Sequence, residues 1–267
     1  MKKTLLTICL VWMCFSLSAQ KIIDLSGKWS FSIDRQDNGE KEKWFSHTLN
    51  DFINLPGSMP EKLKGDEVTA KTQWTGSLYD SSYYYNPYME KYRKEGNIKF
   101  PFFLTPDKHY VGAAWYQKEV NIPADWKGER ILLFLERPHI ETTVWVNGQK
   151  TGIQNSLCVP HQYDITRYVR PGKCTITIRV DNRIKEINVG PDSHSITDQT
   201  QGNWNGIVGR ICLQTTPKTY FDDIQIYPEP EQKLARVKVV IKGTGTAKVK
   251  LSAESFNCLL YTSDAAD

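Results

Sequence analysis

From Gln20 onward the chain reads as short apolar or alternating segments, each closed by Gly, Pro, Asn or Asp. Strands are predicted over Gly27 to Ile33, Ala113 to Ile122, Arg130 to Glu136, Thr142 to Val146, Cys174 to Val180, Gly209 to Gln214 and Tyr220 to Tyr227. Thr175, Thr177 and Arg179 alternate with Ile176, Ile178 and Val180, the period of a strand with one buried face. Asn147-Gly148, directly after Thr-Val-Trp-Val, is a hairpin signal, because both residues tolerate the positive φ of a tight turn. Pro171-Gly172 marks another turn. No long stretch repeats at 3.6 residues. Many short strands with turn punctuation predict an all-β protein built as a two-sheet sandwich. Trp29, Trp115 and Trp145 lie in apolar strand contexts and are expected in its core.

Two regions break the rhythm. Trp74 to Phe103 carries Tyr79, Tyr83, Tyr84, Tyr85, Tyr88 and Tyr92 among polar residues, with a short helix expected near Tyr88 to Lys94. An ordered insertion of this length either walls a ligand cleft or covers a sheet edge or neighbouring domain. The second break is Pro228-Glu-Pro-Glu-Gln232, read as a boundary that closes a first domain at Tyr227. After it, Leu234 to Ile241 and Thr246 to Ala253 resemble the first strands of an immunoglobulin-like sandwich. Roughly thirty residues fall well short of the hundred or so such a domain uses, so residues 228–257 are expected to be an incomplete one. Cys258 to Asp267 neither continues the alternation nor forms a cap, and reads as a non-native tail.

The N-terminus adds a destination. Lys2 and Lys3 precede an apolar run from Leu5 to Leu17, and Ser18-Ala19 supply small residues for cleavage. Residues 1–19 are therefore expected to be a signal peptide, with the protein exported to the periplasm or beyond, and the run is too short to span a membrane. Of the 6 cysteines, Cys9 and Cys14 lie in that segment. Cys158, Cys174, Cys212 and Cys258 show neither a CxxC pair nor metal-ligand spacing, and are read as buried small hydrophobes. The 34 Lys and Arg are interspersed with the 30 Asp and Glu, which excludes a phosphate-binding stripe and argues against nucleic acid as a partner. Aromatic content of 12% suits both a sandwich core and stacking on sugar rings, so it decides nothing alone.

Taken in order, the segments Leu25-Ser-Gly-Lys-Trp-Ser-Phe31, Leu55-Pro-Gly57, Ala114-Trp-Tyr-Gln117, Thr143-Val-Trp-Val-Asn-Gly148, Asp164-Ile-Thr166, Arg179-Val-Asp-Asn182 and Asp198-Gln-Thr-Gln-Gly-Asn-Trp-Asn-Gly-Ile-Val-Gly-Arg210 resemble glycoside hydrolase family 2. The resemblance covers about residues 22 to 227 and is to the family's N-terminal sugar-binding domain. It implies a jelly-roll-like, galactose-binding-type β-sandwich over residues 20–227. It also implies that the loop before the last long strand reaches a terminal sugar, which places Asp198, Gln199, Asn203 and Trp204 at the substrate. Asp and Asn suit vicinal hydroxyls, and Trp offers a stacking face. Against that stands a local role, with Trp204 packed under the loop while Asp198 and Asn203 satisfy nearby backbone.

The family's retaining chemistry needs two carboxylates about 5 to 5.5 Å apart. By the resemblance these sit on a (β/α)₈ barrel, one of them in an Asn-Glu dipeptide that this sequence lacks. No run of alternating strands and helices could build such a barrel. The expected identity is thus the front of a β-galactosidase-like glycosidase, inactive alone, with no cofactor or metal. Its partners would be the terminal sugar of a β-glycoside, in galactose, glucuronic acid, mannose or glucose configuration, and the barrel of the same parent chain. A stand-alone carbohydrate-binding module, or a sandwich interaction protein without a sugar site, remains the alternative.

Overall fold

The computed structural model describes residues 21–76, 80–185, 190, 192–243 and 248–252. The expected signal peptide and the tail from Cys258 lie outside these residues. The described chain divides into two compact units, with the division between Thr215 and Thr216.

In the first unit, β1 (Ile22–Asp24), β2 (Gly27–Asp34), β3 (Asp51–Leu55), β4 (Gly57–Ser58), β5 (Asp66–Glu67), β6 (Lys108–His109) and β7 (Ala113–Ile122) come first along the chain. Then follow β8 (Arg130–His139), β9 (Glu141–Val146), β10 (Gln149–Asn155), β11 (His161–Asp164), β12 (Gly172–Asp181) and β13 (Gly206–Thr216). One sheet has the order β10-β9-β12-β7-β2-β3, and the other β1-β13-β8-β11 with β4 on β13. Strand β7 has its predicted bounds. Others run longer because the ladder continues past the apolar stretch: Asp181 still pairs with both Ala113 and Glu141. Between β9 and β10 the turn is the one Asn147-Gly148 permits, with φ of 51° and 77°.

Alternation sorts the faces. Tyr116, Val120 and Ile122 of β7, Ile176, Ile178 and Val180 of β12, and Leu133 and Leu135 of β8 join Ile211 and Leu213 of β13 in one buried cluster between the sheets. Each such side chain contributes on the order of 1.5–3 kcal/mol through burial. Trp29 belongs to that core and donates its indole N–H to the Leu25 carbonyl at 2.8 Å. Trp115 and Trp145 do not. They stack at 4.9 Å on the opposite face of the six-stranded sheet, under Leu49, Trp44 and Phe45. Successive strand residues point to opposite faces, so Trp115 cannot share a side with Ala114 and Tyr116.

Three further expectations are revised. Cys174 and Cys212 are buried free thiols, but Cys158 is exposed, on the short segment between β10 and β11. The helix expected near Tyr88 is a 3-10 helix, Pro87–Tyr92, after a second at Ser81–Tyr84. Most consequentially, the strand expected to close the first domain, β14 (Tyr220–Glu229), pairs with β15 (Leu234–Lys242) in a two-stranded antiparallel ribbon of the second unit. Residues 248–252, the described part of the expected Thr246 to Ala253 strand, carry no strand.

Candidate functional site

The loop before β13 is ordered by its own polar residues. Three amides, those of Thr200, Gln201 and Gly202, converge on the Thr197 carbonyl at 3.1–3.2 Å, winding the chain into a tight turn. Gly202 takes a φ of 75° to close it. Inside the turn Asp198 is buried, 4% exposed, and its Oδ1 accepts from the Asn203 amide at 2.9 Å.

The same carboxylate reaches out to the tyrosine-rich insertion. Asp198 Oδ2 accepts from the Thr75 amide at 2.6 Å, and the Asp198 amide donates to the Thr75 carbonyl at 3.1 Å. Asn203 Nδ2 donates to Thr75 Oγ1 at 2.9 Å, and Thr197 Oγ1 to the Thr75 carbonyl at 3.3 Å. At the other end of the insertion, the Phe103 amide donates to the Gln199 carbonyl at 3.3 Å. Both ends of the insertion are thus fastened to the loop.

Behind the loop lies a set of buried asparagines. Asn203 Nδ2 also donates to the Asn182 carbonyl and its Oδ1 accepts from Asn182 Nδ2, each at 3.0 Å. Asn182 accepts from the Gly112 amide at 2.8 Å and donates to the Tyr110 carbonyl at 2.9 Å. Asn205 donates to the Gly112 and Val180 carbonyls, both at 2.9 Å, and accepts from the Tyr116 hydroxyl at 2.7 Å. These side chains satisfy backbone groups that the ladder leaves over where β12 and β7 end.

Electrostatics follow burial. Removal from water pushes the Asp198 carboxyl up, while the Asn203 and Thr75 amides pull it back. His109, whose Nε2 lies 3.2 Å from the Gln73 carbonyl, is pushed down by burial against the opposing pull of Asp198. His139, at the end of β8, is pushed down to about 4 by burial. Its ring stacks on Trp204 with centroids 4.6 Å apart and 21° between planes.

The loop, the Ser58–Glu61 turn and residues Leu104–Asp107, just after the insertion, enclose an open cleft of about 390 Å³. Asp198, Asn203 and Trp204 line it from the loop, Leu104 and Asp107 from the segment that follows the insertion, and Glu61 from the turn after β4. Of the four sequence-derived site residues, Asp198, Asn203 and Trp204 therefore share one cleft. Gln199 is half-buried and marks the Phe103 anchor through its carbonyl. Asn203 has both amide hydrogens committed within the protein, so it frames the cleft more than it offers donors to it. Trp204 is half-buried, one face covered by His139.

Residues 22–217 match the family described as glycosyl hydrolases family 2, sugar binding domain. The chain belongs to that family. Similar curated proteins include the β-glucuronidases of Homo sapiens, 24% identical over 258 residues, and of Paenibacillus borealis, 24% identical over 253. The alignments cover 85% and 88% of this chain, and 34% and 36% of those proteins. The chain thus spans about a third of the length of these family 2 relatives. Among solved structures, a β-glucuronidase of an uncultured Clostridium sp. aligns with a TM-score of 0.55 at 20% identity, covering 84% of this chain and 34% of that one. The Ruminococcus gnavus β-glucuronidase in complex with D-glucuronic acid aligns with a TM-score of 0.56 at 18% identity, covering 84% and 35%. At these identities the likeness is one of fold. The relatives' names lend no weight to the β-galactosidase-like expectation.

Several parts of this candidate site are not singled out by the sequence reading: Thr75, His109, His139 and the Leu104–Asp107 wall. Each lies far along the chain from the 198–205 loop, and pairs such as Thr75 and Asp198 leave no local periodicity to detect. Among the described residues no cluster of three or more His, Cys, Asp or Glu is arranged to hold a metal ion, and no helix is long and apolar enough to cross a membrane.

Proposed function

We propose that this chain forms one wall of the sugar pocket of an exported family 2 glycoside hydrolase acting on β-glycosides. The observation that carries the reading is the cleft in which Asp198 and Trp204 meet Leu104 and Asp107, within a domain whose family is defined by sugar binding. Asp198 keeps lone pairs beyond its two amide contacts, enough to accept from hydroxyls, and Trp204 gives an apolar edge for a sugar's C–H face. The β-glucuronidase names of the relatives favour a gluco-configured ring over a galacto-configured one. Hydrolysis itself is assigned to a pair of carboxylates on a barrel of the same parent protein, the arrangement the family resemblance implies for retaining chemistry.

One wall buries little of a ligand, so affinity is expected only at millimolar levels or weaker. The test is an amide chemical-shift titration of the full chain with methyl β-D-glucoside. Shifts should concentrate at Leu104, Asp198, Thr200 and Trp204 and shrink in Trp204→Ala. Shifts scattered over the surface, or none up to solubility, would sink the reading. In the same preparation, release of nitrophenol from aryl β-glycosides should stay at background. Turnover abolished by substituting Glu61 or Asp107 would overturn the assignment of chemistry to the barrel.

A further inference from the structure

Thr75, the first residue of the insertion to touch the loop, does more than fasten the two together. It meets Asp198 from 123 residues away in the chain. Its amide donates to Oδ2 of the carboxylate at 2.6 Å, and its hydroxyl donates to the same carboxyl group. That hydroxyl also accepts from Asn203 Nδ2 at 2.9 Å, so it bridges the two side chains. The segment that presents Thr75 is itself held. Trp74 has its ring 4.6–5.0 Å from those of Phe100, Phe102 and His109. The Thr75 carbonyl accepts from the Asp198 amide and from the Thr197 hydroxyl.

A buried carboxylate keeps its charge only where donors replace the water it has lost. Removal from water pushes the Asp198 carboxyl up, and the hydrogen bonds that oppose this come from the Asn203 amide and from the amide and hydroxyl of Thr75. Asn203 belongs to the loop itself, so the hold from outside the loop is that of Thr75. His109 on β6 attracts the charge only when protonated, which its own burial opposes, and Asp66 on β5 draws on the same imidazole. Glu61 and Asp107 are the other carboxyl groups that line the cleft. We propose, resting on the sugar-pocket reading just given, that Thr75 is a positioning residue for sugar recognition: it holds Asp198 in place as the acceptor for a sugar hydroxyl. A threonine suits the task because its hydroxyl donates to the carboxylate while accepting from Asn203, which a valine or alanine cannot do.

Thr75→Val keeps the shape and the amide and removes only the hydroxyl, so it separates this role from packing. Two quantities are read on the full chain between about pH 8 and 4: the Asp198 carboxyl carbon resonance, and the cleft-amide shifts caused by methyl β-D-glucoside. In Thr75→Val the carboxyl midpoint should rise by about 1 pH unit, the worth of one hydrogen bond to a buried charge. At the unaltered chain's midpoint, glucoside affinity should then fall about fivefold, as the ionised fraction does. Thr75→Ala, which adds no methyl that could crowd Asn203, should give the same rise. Thr75→Ser, which restores the hydroxyl, should restore both midpoint and affinity. Thr197→Val loosens the same junction without removing a donor from the carboxylate, and should move the midpoint less than about half as far. A midpoint that stays within about 0.3 pH unit in both hydroxyl-less variants would overturn the proposal and leave the sugar site standing. An equal rise in Thr197→Val would overturn it too, because a merely structural role would move both alike. If the midpoint responds to Thr75 but the glucoside moves no cleft amide even in the unaltered chain, the sugar-site reading fails and this inference fails with it.

Discussion

Asn205 shows how much a single side chain carries at this site. It donates to the Gly112 and Val180 carbonyls and accepts from the Tyr116 hydroxyl while 1% exposed. Its loss takes the acceptor from that hydroxyl and a donor from each carbonyl, leaving Gly112 with the Asn182 amide at 3.4 Å. Leaving buried polar groups unpaired costs about 1–3 kcal/mol apiece, and Asn205→Ala is expected to destabilise the domain by roughly 2–4 kcal/mol. Urea denaturation gives the number, and a loss under about 0.5 kcal/mol would mean the network is dispensable. From the sequence, Asn205 reads only as part of a polar loop, whereas Asp198 and Trp204 stand out through the register of their segment. What no sequence pattern announces is that Asn203 is consumed internally. That outcome is set by Asn182 and Thr75, brought in from two other parts of the chain.

At the level of elements, β4 is the weak joint. It has two residues, and its pairing with β13 sets Ser58 against Gly206 and Gly57 against Ile207. Gly206 holds a φ of 146°, and a Cβ there would lie 2.5 Å from the Gly57 carbonyl oxygen and 2.8 Å from Ser58 Cα. Backbone cannot yield as a side-chain tip can, so Gly206→Ala is expected to lever β4 off the sheet at a cost of about 1–3 kcal/mol. The Ser58–Glu61 turn would move with it. Hydrogen exchange should report faster opening at Met59, whose amide donates to the Asn205 carbonyl at 2.7 Å. Unchanged protection there would refute the coupling. The long strands and the Asn147-Gly148 hairpin were legible because period-2 alternation and turn chemistry are local. β4, β5, β6 and β11 were not, being short and polar and defined only by distant partners.

For the whole molecule, burial of imidazoles sets the response to acid. His139 and His161 are both pushed down to about 4 by removal from water. An unfolded histidine titrates near 6.5, so between about pH 6.5 and 4 the unfolded state binds protons that the folded state refuses. Stability is therefore expected to fall as pH drops through that window, by up to about 1.4 kcal/mol per pH unit for each histidine. Asp181, held below the usual carboxylate range by Arg183 and Lys185 against its own burial, acts lower still: its contribution is complete above about pH 4 and is lost on further acidification. Thermal melts from pH 7 to 4 test this, and His161→Gln should flatten the slope. In the second unit, Phe221, Ile224, Ile226 and Leu234 are 45–64% exposed on a two-stranded ribbon. Exposed apolar strands with free edges invite edge-to-edge pairing. A chain ending at Pro217 should aggregate less at equal concentration by light scattering, and equal or greater aggregation would count against the ribbon as the sticky element. The sequence predicted a strand over Leu234 to Ile241, but it assigned Tyr220 to Tyr227 to the first domain, since a strand's alternation does not name its partner.

The fastening of Thr75 and Phe103 to the 197–203 loop makes the stretch between them an exchangeable cassette. Its two ends are fixed posts, and closing a longer loop between fixed posts costs only about 0.6 kcal/mol per doubling of length. New sequence could be grafted between residues 84 and 92, where Tyr85 and Tyr88 are exposed, to reshape the outer rim while Tyr83, Phe100 and Phe102 keep their packing on one another and beside Trp74. For anyone redesigning what this wall recognises, the place to insert diversity is that span, and the residues to leave alone are Thr75 and the turn that holds it.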